Sequence, residues 1–258
     1  GCVVAPGFVD MHSHADGTLP ILPTADSLVY QGITTVVVGQ CGDSPVPLLP
    51  DSRAGAIARR TLADAPFPWE RLTTMDSYLD YLREIGISIN AVPLVGQGMV
   101  REAVMGMAAG APTAEQLARM QAEVAQAMDE GAVGLSTGLI YAPGSYTTTE
   151  EIIALARPVG ERGGLYFSHI RDEGDGLLGA VAEAIHIGRE AGTPVEISHF
   201  KAAGRRNWPK SAQALALIDA ARAEGLDVSA ELYPYMAGSS ARLALLPAWA
   251  HEGGFSAT

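Results

Sequence analysis

Short apolar runs alternate with amphipathic stretches of helical length along most of this chain, and that rhythm constrains the fold more than any other feature. Strand-like runs occur at 7–14, 34–41, 90–96, 132–136, 164–169, 194–199 and 228–233. Helix-like stretches occur at 25–31, 75–85, 113–130, 149–162, 177–191 and 211–224. Apolar strands separated by helices predict parallel βα units, because a parallel connection must cross back over the sheet. The length of 258 residues suits a (β/α)8 TIM-type barrel, which needs about 250. Seven strands can be counted where such a barrel closes with eight. The expectation is therefore an α/β fold, an incomplete TIM-type barrel over residues 1–258 with its eighth strand missing, belonging to a longer protein.

The polar residues gather where the strands end. His12 and His14 close the first run, Cys41 the second, His169 the fifth and His199 the sixth. Side chains two apart on a strand share a face, so His12 and His14 are expected to point the same way. Parallel strands in a barrel deliver their C-terminal ends to one face, where such folds keep their active sites. Four of the six histidines and one of the two cysteines thus converge on one mouth. Neutral imidazole and thiolate together suit a borderline-soft cation such as zinc. His186, within a helix, and His251, near the end of the chain, lie off this pattern.

Composition removes several alternatives. A formal net charge of -12 disfavours nucleic acid and anionic membrane surfaces, since phosphate binding needs a basic face. No apolar run approaches the roughly 20 residues of a membrane span. Cys2 precedes the first strand and Cys41 follows the second, so in parallel strands their sulfurs lie about 20 Å or more apart. A free Cys41 thiol is expected, and with it a reducing compartment, the cytoplasm. The proline-rich connection after Cys41, through Pro50, Pro66 and Pro68, is either a lid over the mouth or a peripheral excursion.

The motif Gly7-Phe8-Val9-Asp10-Met11-His12-Ser13-His14 resembles the first-strand signature of the amidohydrolase superfamily. Further motifs narrow the resemblance to the N-acyl-D-amino-acid deacylases (D-aminoacylases). They are Gly32-Ile33-Thr34-Thr35-Val36-Val37-Val38-Gly39-Gln40-Cys41-Gly42, Gly134-Leu135-Ser136-Thr137-Gly138-Leu139-Ile140-Tyr141, Ser168-His169-Ile170-Arg171-Asp172-Glu173-Gly174, Ile197-Ser198-His199-Phe200-Lys201 and Tyr233-Pro234-Tyr235. The resemblance implies zinc-dependent hydrolysis of the amide bond of N-acyl-D-amino acids, small-molecule substrates, to a carboxylate and a free D-amino acid. It implies a tight zinc site at Cys41, His169 and His199 and a weaker second position at His12 and His14. Lys201, with Tyr233 and Tyr141, is implied to bind the substrate.

Two features of the family have no counterpart here. Its general base is an aspartate at the end of strand eight, which the strand count places beyond Thr258, so no residue of this chain is assigned as the catalytic base. The family also carries a small β-sandwich built from both termini. This chain by itself is therefore expected to lack full activity. Two other readings stand beside the deacylase. One is a cyclic-amide hydrolase of the dihydropyrimidinase or hydantoinase kind, which generally places a metal-bridging lysine on strand four, where residues 132–138 contain none. The other is a catalytically incomplete metal-binding fragment.

Overall fold

The computed structural model describes residues 2–47, 71–240, 246 and 250. The proline-rich connection after Cys41 lies largely outside these residues, as does His251. Thr258 lies outside them too, and with it the position beyond it where the general-base aspartate is expected.

Every strand-like run contains a strand. They are β1 (Phe8–Asp10), β2 (Ile33–Val38), β3 (Asn90–Pro93), β4 (Val95–Gly96), β5 (Gly134–Gly138), β6 (Leu165–His169), β7 (Val195–Ile197) and β8 (Val228–Ala230). All pairings are parallel, and spatial order follows chain order: β1-β2-β3 in one sheet and β4-β5-β6-β7-β8 in the other. One run, 90–96, supplies both β3 and β4, with only Leu94 between them. Pro93 has no N–H to give to the ladder, so regular pairing lapses there. The chain nevertheless carries on, with Leu94 N–H donating to Val38 O at 2.9 Å and Val133 N–H to Pro93 O at 2.9 Å.

The helices lie where the amphipathic stretches predict: α1 (Asp26–Val29), α2 (Met75–Ile85), α4 (Ala114–Asp129), α5 (Thr149–Gly160), α6 (Leu177–Ala191) and α7 (Lys210–Ala223), with α3 (Gln97–Met105) in addition. Their starts follow from local chemistry. Thr74 and Thr113 form reciprocal capping boxes with Ser77 and Gln116, satisfying N–H groups that a helix start otherwise strands. Helix α3 is short and carries Gly98 in its first turn, and its apolar pattern merges with the strand before it.

The central strands β5, β6 and β7 are buried on both faces apart from half-buried Leu165, as parallel sheets require, whereas β1 and β8 are largely exposed. Val36 and Val38 pack outward with the helices in the main core, whereas Val37 joins Leu94 and Phe167 in a smaller cluster. Val37 and Phe167 come from strands of different sheets, β2 and β6, so the two sheets share this small cluster. No described helix is long and apolar enough to cross a membrane.

Candidate metal centre

The strands end sooner than the sequence suggests, and the candidate ligands sit mostly on the turns just past them. β1 stops at Asp10, so His12 and His14 are not strand neighbours sharing a face. Asp10 Oδ1 accepts from the His12 N–H at 3.1 Å and Ser13 N–H reaches Val37 O at 3.0 Å, a turn that replaces the ladder. His12 is drawn inward, while His14 stays exposed, its ring edge-on to His12 at 5.4 Å between centroids.

Cys41 lies three residues past β2 in a left-handed conformation, φ 56°. Few non-glycine residues adopt it without support, and here β5 supplies the support. The Ser136 hydroxyl donates to Gly39 O and accepts from Gly42 N–H at 3.1 Å, bracketing the cysteine on both sides. Gly138 faces it so closely that a Cβ there would stand 2.0 Å from Cys41 O. His199 likewise sits beyond β7 at φ 37°, and only His169 belongs to a strand. Lys201 therefore reaches the mouth from a loop and not from a continuing strand.

Three donors face one another. Cys41 Sγ lies 3.4 Å from His12 Nε2 and 3.6 Å from His199 Nε2. A tetrahedral zinc ion with Zn–S near 2.3 Å and Zn–N near 2.05 Å holds such pairs about 3.5 Å apart. The far nitrogens of both rings meet carboxylates: His12 Nδ1 donates to Glu231 Oε1 at 2.6 Å, and His199 Nδ1 lies 2.8 Å from Glu173 Oε1. The carboxylate behind His12 favours the tautomer that leaves Nε2 free toward the sulfur, whereas His199 Nδ1 faces both the Glu173 carboxylate and the Lys201 ammonium.

His169 stands edge-on to His199, 4.2 Å between ring centroids, and groups with Glu173 and His199. It is buried with neither ring nitrogen hydrogen-bonded. Such a loss of partners is costly unless a ligand supplies them. Burial, reinforced by the neighbouring His199, pushes the His169 pKa down to about 3, so the ring is neutral and its lone pair available. Burial also pushes the Cys41 thiol up, with Asp43, Glu231 and Glu173 adding to the effect. Burial alone would raise Glu173, but hydrogen bonds from His199 and Lys201 outweigh it and hold the carboxyl at about 2.

The expected residues thus meet, but in a different grouping. Cys41 shares a centre with His199 and His12, and His14 belongs to neither of the two clusters found among the described residues. Lys201 Nζ is 2.9 Å from His199 Nδ1 and bonded to Glu173, with the Tyr233 ring 5.3 Å away. Tyr141 packs edge-on to His169 at 5.0 Å, and its hydroxyl meets Ser240 Oγ at 2.9 Å. His186 is exposed on α6, away from the cluster. Glu173 and Glu231 are the residues that sequence reasoning missed. Each lies inside a run already singled out, one four residues past His169 and the other directly after β8. Both are engaged behind the histidines, so neither stands in for the aspartate base expected beyond Thr258. Glu173, four residues past His169, carried a signal in its closeness to a candidate ligand, whereas Glu231 lies far in sequence from both histidines that it contacts.

The Amidohydro_3 pattern of the amidohydrolase family matches residues 1–255. The chain belongs to the amidohydrolase family. It is 43% identical to a D-aminoacylase from Alcaligenes xylosoxydans xylosoxydans over 93% of its own length and 49% of that protein's. It also superposes on a D-aminoacylase whose structural study concerns a binuclear metal centre, with TM-score 0.80 and 38% identity, covering 90% of this chain and 48% of the other. N-acyl-D-glutamate deacylase from Bordetella bronchiseptica, solved with zinc and a phosphonate inhibitor, superposes at TM-score 0.78 and 38% identity, covering 89% and 48%. The chain spans about half the length of the relatives it matches. An L-hydantoinase (dihydropyrimidinase) from Arthrobacter aurescens shares the fold alone, at 17% identity and TM-score 0.52 over 89% of this chain and 47% of the other.

Proposed function

We propose that this chain is the metal-binding part of a zinc-dependent deacylase that cleaves N-acyl-D-amino acids into a carboxylate and a D-amino acid. The observation that carries the reading is the Cys41 sulfur set 3.4 Å and 3.6 Å from two imidazole nitrogens. Cys41, His199 and His12 would hold the ion, with the unpartnered His169 beside them, and His14 stands at the rim where a weaker second position would form. Zinc there would supply Lewis acidity, polarising an amide carbonyl and making water nucleophilic near neutral pH. The Lys201 ammonium, shared with Glu173 and flanked by Tyr233, is placed to take a substrate carboxylate, and Tyr141 to border the acyl side. The D preference rests on the likeness to the deacylases.

The fold reading is an incomplete TIM-type barrel forming one domain over residues 1–258. Phe8 and Val9 of β1 are 64% and 54% exposed, and Ser229 and Ala230 of β8 are exposed too. Two strands left open on facing edges are what a ring lacking one strand presents. A free, buried Cys41 suits a reducing compartment such as the cytoplasm. Nothing favours the cyclic-amide reading: β5 (Gly134–Gly138) carries no lysine to bridge two metals.

The test uses the full-length protein containing this chain. Zinc near one ion per chain and amine release from N-acetyl-D-amino acids, with the L-enantiomers spared, are expected. A metal-loaded protein inert across a broad D panel would overturn the substrate assignment, and a protein that takes up no zinc would overturn the site.

A further inference from the structure

Glu231 is the residue at which the two ends of the strand series meet. It directly follows β8, yet its Oε1 accepts from His12 Nδ1, beyond β1, at 2.6 Å. The same oxygen accepts from the His199 backbone N–H at 2.6 Å. Its main chain makes two further bonds to the β7 exit: Glu231 O accepts from Phe200 N–H at 2.8 Å, and Glu231 N–H reaches Ile197 O at 3.2 Å. His199 has φ 37°, a backbone that a residue with a Cβ keeps only when its surroundings enforce it. The two rings whose Nε2 atoms face the Cys41 sulfur are therefore both set by one carboxylate, one through its Nδ1–H and the other through its backbone.

We infer that Glu231 is a positioning residue: it aims His12 and seats His199 around the Cys41 sulfur, and so sets how tightly the centre holds a cation. The inference rests on the proposed metal site. It assigns Glu231 no contact with substrate and no proton transfer. The role separates into two limbs. Gln at this position retains a carbonyl oxygen for the His199 N–H but loses the charge that makes the bond to the imidazole N–H strong. Partners behind metal-bound histidines typically change metal affinity by about 10–100-fold when removed.

The experiment is a titration of the metal-free protein with cobalt(II), read by the thiolate-to-cobalt absorption band and by the ligand-field bands that report coordination geometry. Glu231→Gln is expected to weaken cobalt binding by roughly tenfold and to shift the ligand-field bands. Glu231→Asp, which keeps the charge but withdraws the oxygen by one methylene, is expected to move both in the same direction and keeps the test decisive should the Gln variant fail to fold. In a His12→Ala background, Glu231→Gln is expected to change affinity by less than about twofold, because the ring it positions is gone. Unchanged affinity and spectra in the folded Glu231 variants would overturn the inference, as would an undiminished effect in the His12→Ala background. Absence of any thiolate band in the unmutated protein would instead remove the metal site on which the inference stands.

Discussion

Among the described residues, two buried polar clusters are satisfied to very different degrees. In the first, Arg101 on α3 is fully buried and all its guanidinium nitrogens are used: Nε donates to Glu151 on α5 at 3.0 Å, Nη1 to Ala108 O at 2.8 Å and Nη2 to Gly110 O at 2.5 Å. In the second, carboxylates hold the outer nitrogens of His12 and His199, while the inner ones face a sulfur and both nitrogens of the buried His169 have no partner. The Arg101 network clamps two helices and the turn after α3; its cation is fully bonded, and only Glu151 Oε2 is left without a partner, a single hard oxygen beside a fixed positive charge. An open network of borderline-soft donors keeps its free valences pointed at a common centre, which is how a cation site differs from a structural ion pair.

The sharpest way to break this contrast is to remove the cation from the first cluster. Arg101→Ala leaves Glu151 buried without its partner and is expected to cost about 3–5 kcal/mol of stability, read by urea denaturation. Zinc per folded chain should stay at the unmutated level, and a parallel loss of metal would erase the distinction. Next comes Cys41→Ser, which removes the thiolate common to both imidazoles. A loss of roughly a thousandfold in zinc affinity, about 4 kcal/mol, is expected in a chelator competition, with stability of the metal-free protein little altered.

A smaller effect follows from acidity. Burial and neighbouring carboxylates push the Cys41 thiol up, so without metal it is protonated at neutral pH, and binding a cation must release that proton. Apparent affinity should then rise about tenfold per pH unit between roughly pH 6 and 8, and a pH-independent constant would show that the sulfur is not a ligand. The smallest effect is expected at the exposed His14. Replacing it by alanine should change affinity for the first zinc by less than about threefold, in contrast to His169→Ala, for which about 10-fold or more is expected.

Much of the fold was legible because a parallel βα chain repeats one local instruction. Short apolar strands and capped amphipathic helices need no knowledge of distant contacts, and Thr74 and Thr113 announce their helices within one turn. Helix α3 escaped because nine residues with a glycine in the first turn give too little periodicity beside a strand. The site was legible as a roster of donors and not as an arrangement. Strand alternation paired His12 with His14, but β1 ends at Asp10, and the turn after it sends one ring inward and leaves the other in solvent. Glu173 and Glu231 were hidden for a related reason: carboxylates are common at strand exits, and only folding shows which imidazole each one backs.

The close approach of β5 to the Cys41 turn has an evolutionary consequence. With Gly138 touching the cysteine's carbonyl, and a Cβ on Gly96 set to stand 2.4 Å from Gly42 O, even one methyl group at either glycine would shove the thiol out of place. Whatever varies elsewhere in descendants of this chain, two bare backbone positions underneath the thiol must stay as they are.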